Sequence, residues 1–213
     1  MFTFDKTCRV LVVGAHPDDE IMCGGLITRM VEQGCQIYHY YFAECRISTQ
    51  DRGYDPELLI QECRQSRAML GIPDNHCGGF DFPVRHFPEY RQQILDALLS
   101  IRRAVAPTIV LTSGTDDIHQ DHSTLTHEVI RAFKGSTILG YESPWNQLAT
   151  QNDMLVKLNQ SHLDNKIAAM SVYQTQSQSP YFQPDFITGL ARVRGVQAGS
   201  QYAESYEVVR LVM

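Results

Sequence analysis

Four short runs rich in β-branched and aromatic residues alternate along the chain with segments of helical periodicity. The runs are "CRVLVVGAH" (8–16), "CQIYHYYFA" (35–43), "TIVLTSG" (108–114) and "STILGYE" (136–142). Each is bounded by Gly, Pro or polar residues, as buried strands are. Between them, "GGLITRMVEQG" and "DPELLIQECRQSRAMLG" end on Gly34 and Gly71, residues suited to close a helix. In "PEYRQQILDALLSIRRAVAP", Ile94, Leu98, Ile101 and Val105 repeat at helical spacing, with Pro88 placed for the first turn and Pro107 for the stop. "STLTHEVIRAFKG" sets Leu125, Val129 and Phe133 on one face. Strands alternating with helices predict an α/β fold, a mostly parallel sheet with helices on both sides. Further on, "DNKIAAMSVYQTQ" reads as a helix and "SYEVVRLVM" as a last strand with a sheet edge as its expected place. No repeat or linker divides the chain, so residues 1–213 are expected to form one domain. Hydrophobic residues, 43% of the total, suffice for a sizeable core.

A parallel sheet binds its ligands beyond the carboxyl ends of the strands. Both unusual polar clusters fall there: "HPDDE" (16–20) after the first run and "DDIHQDH" (116–122) after the third. Asp18, Asp19 and Glu20 repel one another, and either a helix start or a cation can offset that repulsion. A helix N-terminus accounts for one or two of the acids but not for His16. A phosphate cradle fails, because three carboxylates repel a pyrophosphate and G-x-G-x-x-G is missing after Val13. The metal reading accounts for more. His16 offers an imidazole nitrogen and Asp19 a carboxylate oxygen, and "HQDH" (119–122) supplies a candidate third ligand. Two histidines and one carboxylate with an open position for water make a catalytic zinc arrangement.

Other classes are excluded by composition. A formal charge of −6 argues against a general nucleic-acid binder. No apolar run approaches the roughly 20 residues of a membrane span. "MFTFDKT" lacks the basic and apolar regions of a signal peptide. The six cysteines form no CxxC pair, so free thiols in the cytoplasm are expected. No G-x-S-x-G elbow points to a serine hydrolase.

"AHPDDE" after a first apolar strand, with "HQDH" about a hundred residues later, resembles the PIG-L/LmbE family of zinc-dependent de-N-acetylases. "ECRQSRAMLGI" (62–72) is similar to the family's helix between those strings. "KIAAMSVYQTQ" (166–176) is similar to its K-x-x-A-x-x-x-Y-x-S-Q segment, with Thr175 in place of serine. "RGVQAGSQYAESYEV" (194–208) is similar to its R-G…A-E-x-F segment, with Tyr206 in place of phenylalanine. The resemblance implies a Rossmann-like, LmbE-like domain that hydrolyses the acetamido group of an amino sugar, free or linked to a nucleotide or lipid. It implies zinc, with iron(II) as the alternative, held by His16, Asp19 and His122. Asp18 matches the family's general base. His119 matches its second histidine, which as an imidazolium would stabilise the oxyanion. Asp121 is a partner to orient one histidine, or a helix N-cap, or both.

Substrate contacts are expected from Arg46, Arg64, Arg85 and Asp81, with Glu204 closing the site from the C-terminal side. Loops 44–56 and 143–153 are expected to choose the substrate, and Trp145 either stacks on a sugar or packs in the core. His39 reads as a residue within a strand, and His76, His86, His127 and His162 as structural or surface residues. The alternatives are an amidase of a non-sugar amide and a metal-binding module without turnover. The association state is left open, a homo-oligomer included.

Overall fold

A computed structural model describes residues 6–212, so the reading of 1–5 and the last residue of the final strand lie outside the described residues. In chain order the elements are β1 (Arg9–Gly14), α1 (Gly24–Glu32), β2 (Gln36–Tyr41), α2 (Arg46–Asp51), α3 (Leu58–Met69), β3 (Cys77–Gly79), α4 (Arg91–Val105) and β4 (Ile109–Ser113), then α5 (Gln120–Ala132), β5 (Thr137–Tyr141), β6 (Met154–Leu158), α6 (Gln160–Met170), α7 (Pro184–Ala198) and β7 (Tyr202–Arg210).

The strands form one sheet in the order β3-β2-β1-β4-β5-β7-β6. The first five are parallel, and β7 runs antiparallel to both β5 and β6. In register, Val10 lies beside Ile37 on one side and Ile109 on the other. Both faces of the central strands are covered, so β1, β4 and β5 are apolar almost without alternation. Helices α1 and α3 pack with α6, and α4 packs with α5. The chain steps from β1 out to β2 and β3, then returns past β1 to β4 and β5. The order therefore reverses between β1 and β4, and a crevice opens there at the carboxyl ends.

Several elements depart from the sequence reading. The run at 108–114 is the fourth strand, because Cys77–Gly79 forms a short edge strand whose two glycines carry no strand signal. The last strand is interior, since β6 pairs along its free side. Pro88 sits in a separate 3-10 turn, Phe87–Glu89, ahead of α4. Helix α6 stops at Met170, and 174–176 form a turn of their own. Helix α7 is hidden in the sequence by its internal glycines, although Pro184 at its start and Gly199 at its end mark its limits. Gly34 and Gly71 follow their helices with φ of 85° and 80°, as expected.

Glu204, expected to close the site, does not line the crevice pocket. It is buried on β7, where its two oxygens accept from the Gly25 and Leu26 amides at 2.9 and 2.8 Å. These are orphan donors at the start of α1, which a carboxylate satisfies well. Lys166 Nζ of α6 donates to the same carboxylate at 2.7 Å, as does the Tyr206 hydroxyl. The approach is so close that a Cβ on Gly25 would lie 2.5 Å from Leu158 and 2.8 Å from Glu204 Oε1. Tyr206 thus adds a hydrogen bond to a network joining β7, α6 and α1. Removing one member leaves a buried charge uncompensated, which costs about 3–5 kcal/mol. Glu204→Ala should lower the urea unfolding midpoint accordingly. The Glu204→Ala/Lys166→Met pair should lose less than the two single variants together, because it leaves no orphan charge.

Candidate active site

The strand β1 ends at Gly14, and the next six residues turn across the mouth of the crevice. The three acids there face three different surroundings. Asp18 stands at the N-cap position of the 3-10 turn Asp19–Cys23 but makes no capping bond, and it lines the crevice instead. Burial and the neighbouring Asp19 raise it to about 6, against the pull of His16 and Arg52. Asp19 turns back to accept from the His16 amide at 2.9 Å. Burial alone would raise Asp19, but His122 and His16 outweigh it and hold the group below its usual range. Glu20 points inward, fully buried, and accepts from Ser66 and Tyr173 hydroxyls at 2.5 Å each. Desolvation pushes Glu20 up to about 8, so it is largely neutral at pH 7.

From β4 comes the second half. His119 extends at the N-cap of α5, where its Nδ1 accepts from the Asp121 amide at 3.2 Å. His122, one helical turn on, directs Nδ1 at the buried Asp117 carboxylate 2.8 Å away. Its Nε2 then faces His16 Nδ1 at 3.2 Å and Asp19 Oδ1 at 3.5 Å. His16 Nδ1 lies 3.8 Å from Asp19 Oδ2, and its other nitrogen meets Asp121 Oδ2 at 3.4 Å. Donors of a tetrahedral zinc site, each bonded at about 2.0–2.1 Å, stand roughly 3.3 Å apart. His16 Nδ1 and His122 Nε2 fit that span at 3.2 Å, and Asp19 approaches them with different oxygens, at 3.8 and 3.5 Å. His122 and His16 each also have a carboxylate, Asp117 and Asp121, against the nitrogen that points away from the converging donors, the arrangement that orients a metal-binding imidazole. His16, His119 and His122 together offer donor atoms all within 4.8 Å of one another, so a histidine triad is also a candidate cation site.

Burial alone would lower His122, but Asp19 and Asp117 raise it to about 9, so its Nε2 carries a proton until a cation displaces it. The imidazolium expected at 119 gives way to a neutral ring. Burial, then the charges of His122 and His16, lower it to about 4. With Nδ1 occupied as an acceptor, the neutral ring keeps its proton on Nε2 as a donor. Asp121 is not the helix N-cap, since it lies inside α5 and His119 fills that role. Its carboxylate accepts from the Arg85 amide at 2.6 Å and the Phe87 amide at 3.4 Å.

A pocket of about 310 Å³ opens over these groups. Of the other sequence candidates only Arg85 lines it. Arg46 is committed to ion pairs with Glu44, Glu57 and Asp81, which also accounts for Asp81. Arg64 is exposed on α3 and lies away from the pocket wall. Both anticipated substrate regions contribute walls: Cys45, Ser48 and Arg52 from one, Ser143, Trp145 and Asn146 from the other. Trp145 stacks on Tyr181 with ring centroids 4.2 Å apart. Ser143 Oγ is buried in the wall without a hydrogen-bond partner among the described residues. His39 is fully buried, as a residue within a strand, and His162 completes a capping box with Asn159. Sequence reasoning missed Asp117, Arg52 and Tyr181. Asp117 had a signal, an acid two residues before His119 in the same string, whereas Tyr181 arrives from a distant loop with none.

The family model for GlcNAc-PI de-N-acetylase, PIG-L, matches residues 11–133, more than half of the chain. The uncharacterized deacetylase YaiS of Escherichia coli (strain K12) is 26% identical over 179 residues, covering 80% of this chain and 93% of that protein. The conserved protein TT1542 from Thermus thermophilus has the same fold, with a TM-score of 0.80 at 23% identity over 96% of this chain and 95% of its own. GalB, the 4-carboxy-2-hydroxymuconate hydratase of Pseudomonas putida KT2440, follows at 0.78 and 21% identity over 97% and 98% of the two chains. The N,N'-diacetylchitobiose deacetylase from Pyrococcus horikoshii follows at 0.77 and 18% over 93% and 82%. Both polar clusters of the crevice lie inside the span that the family model covers, and the chain belongs to the PIG-L family of de-N-acetylases.

Proposed function

We propose that this chain, read as one domain over 1–213, is a metal-dependent hydrolase acting in the cytoplasm. It removes the acetyl group from an N-acetylated amino sugar or sugar conjugate. The observation that carries this reading is the convergence of His16 Nδ1, Asp19 and His122 Nε2 beside an uncommitted Asp18 carboxylate. Zinc, with iron(II) as the alternative, suits these donors and supplies, when bound, a Lewis acid that polarises the carbonyl and acidifies water.

The chain's own groups then divide the work. Asp18 takes a proton from the attacking water as its oxygen bonds to the acetyl carbon. His119 Nε2–H donates to the oxygen on which negative charge develops. As the C–N bond breaks, the proton held on Asp18 passes to the leaving amine, and acetate and the free amine result. Asp117 and Asp121 keep the imidazoles of His122 and His16 in orientation. The flat Trp145–Tyr181 wall supports a sugar ring over a non-sugar amide, and the diacetylchitobiose deacetylase of the same fold acts on such a substrate. Asp18, neither a ligand nor a cap, argues against a module that only holds metal.

Purified protein supplied with N-acetylglucosamine derivatives should release amine and acetate, and no release from any of them would count against the sugar reading. Asp18→Asn should keep metal and melting temperature yet lose about 10²–10⁴ in rate, the scale of a general base. Asp19→Asn should weaken metal binding instead, and equal behaviour of the two would remove the division of roles. Asp117→Asn and Asp121→Asn should each lower metal affinity by about 10–100-fold. Metal affinity should also rise with pH up to about 9, where His122 loses its proton, and uptake at pH 7 should release roughly one proton. Calorimetry in buffers of different ionisation enthalpy measures that release.

A further inference from the structure

The pocket carries two arginines that no carboxylate neutralises. Arg52 follows α2 and lines the pocket. Its Nη1 donates to the Thr175 carbonyl at 3.1 Å and to Gln176 Oε1 at 2.6 Å, both uncharged acceptors. These bonds fix the guanidinium without cancelling its charge. Arg85 lines the same pocket, and among the described residues its side chain enters no ion pair. Its backbone is left-handed, with φ of 69°, which is costly for a residue other than glycine. The bond from its amide to Asp121 holds it there, so a carboxylate that orients His16 also fixes this arginine. Asp51 lines the mouth as well and pairs with neither arginine.

Arg46, Arg91, Arg131 and Arg194 sit against carboxylates, and Arg9, Arg29, Arg102 and Arg210 donate to backbone carbonyls, but none of these eight lines the crevice pocket. A guanidinium held by neutral acceptors at a pocket wall keeps its charge and donors for a ligand.

We infer that Arg52 and Arg85 form an anion-binding arm, and that the substrate carries a phosphate or carboxylate on the part that leads away from the scissile amide. The inference rests on the deacetylase reading for the identity of that amide.

Three N-acetylglucosamine derivatives alike except at C1 test it: the methyl glycoside, the carboxymethyl glycoside and the 1-phosphate. Binding to the metal-loaded protein is followed by calorimetry at low and high salt, with melting temperatures as the check on folding. At least one anionic derivative should bind about tenfold or more tighter than the methyl glycoside, the scale of a charge-assisted bond. The better of the two tells phosphate from carboxylate. The advantage should shrink in R52Q and in R85Q, vanish in the double variant, and weaken with salt. Equal affinity for all three, absence of binding by both anions, or an advantage that survives the double variant and so reflects the metal alone, would overturn it. Release of acetate from the same compounds is scored separately, so failure of turnover counts against the proposed reaction and not against the anion arm.

Discussion

Three adjacent carboxylates cannot share one environment, and much of this structure is arranged around that repulsion. The turn after β1 separates them by direction. Asp18 faces the pocket, Asp19 folds back toward two imidazoles, and Glu20 enters the interior as a largely neutral acid. Burying Glu20 brings in distant segments: Ser66 from α3 and Tyr173 from the turn after α6 both donate to it. The Tyr173 hydroxyl also lies 3.0 Å from the Pro17 carbonyl, so the turn is tied from beneath. The local electrostatic problem thus specifies a long-range contact.

The histidine side of the crevice depends on a second ring of acids. Asp117 and Asp121 are buried and touch the nitrogens that point away from the converging donors. Asp121 in addition holds the left-handed backbone at Arg85. Orientation of an imidazole and placement of a pocket arginine therefore share one carboxylate.

Elsewhere the same chemistry serves the fold. Glu204 and Lys166 form a buried pair as unusual as anything in the crevice, yet their partners are helix amides, the Met22 carbonyl and a tyrosine. Glu62 does similar work, accepting from the Gln174 amide and the Thr175 hydroxyl and so joining α3 to the turn after α6. These contacts join segments far apart in sequence. They meet, and their polar residues satisfy one another.

The sequence by itself determined the parallel α/β core, the two polar clusters at strand ends, and the histidines and acids that converge there. Those features are local. Apolar periodicity follows from which faces are buried, and a histidine–proline–acid string after a strand has few structural uses. Only the tertiary structure decided that β7 lies inside the sheet, because its second side is closed by β6, a pairing between segments far apart in sequence. It also decided that Glu204 closes a helix and not the pocket, and that Arg46 is neutralised by acids while Arg52 and Arg85 are not. The charge state of His119 and the role of Asp117 belong to the same group. Each depends on which groups from distant segments surround a side chain, and that neighbourhood exists only once the sheet order and helix packing have brought those segments together.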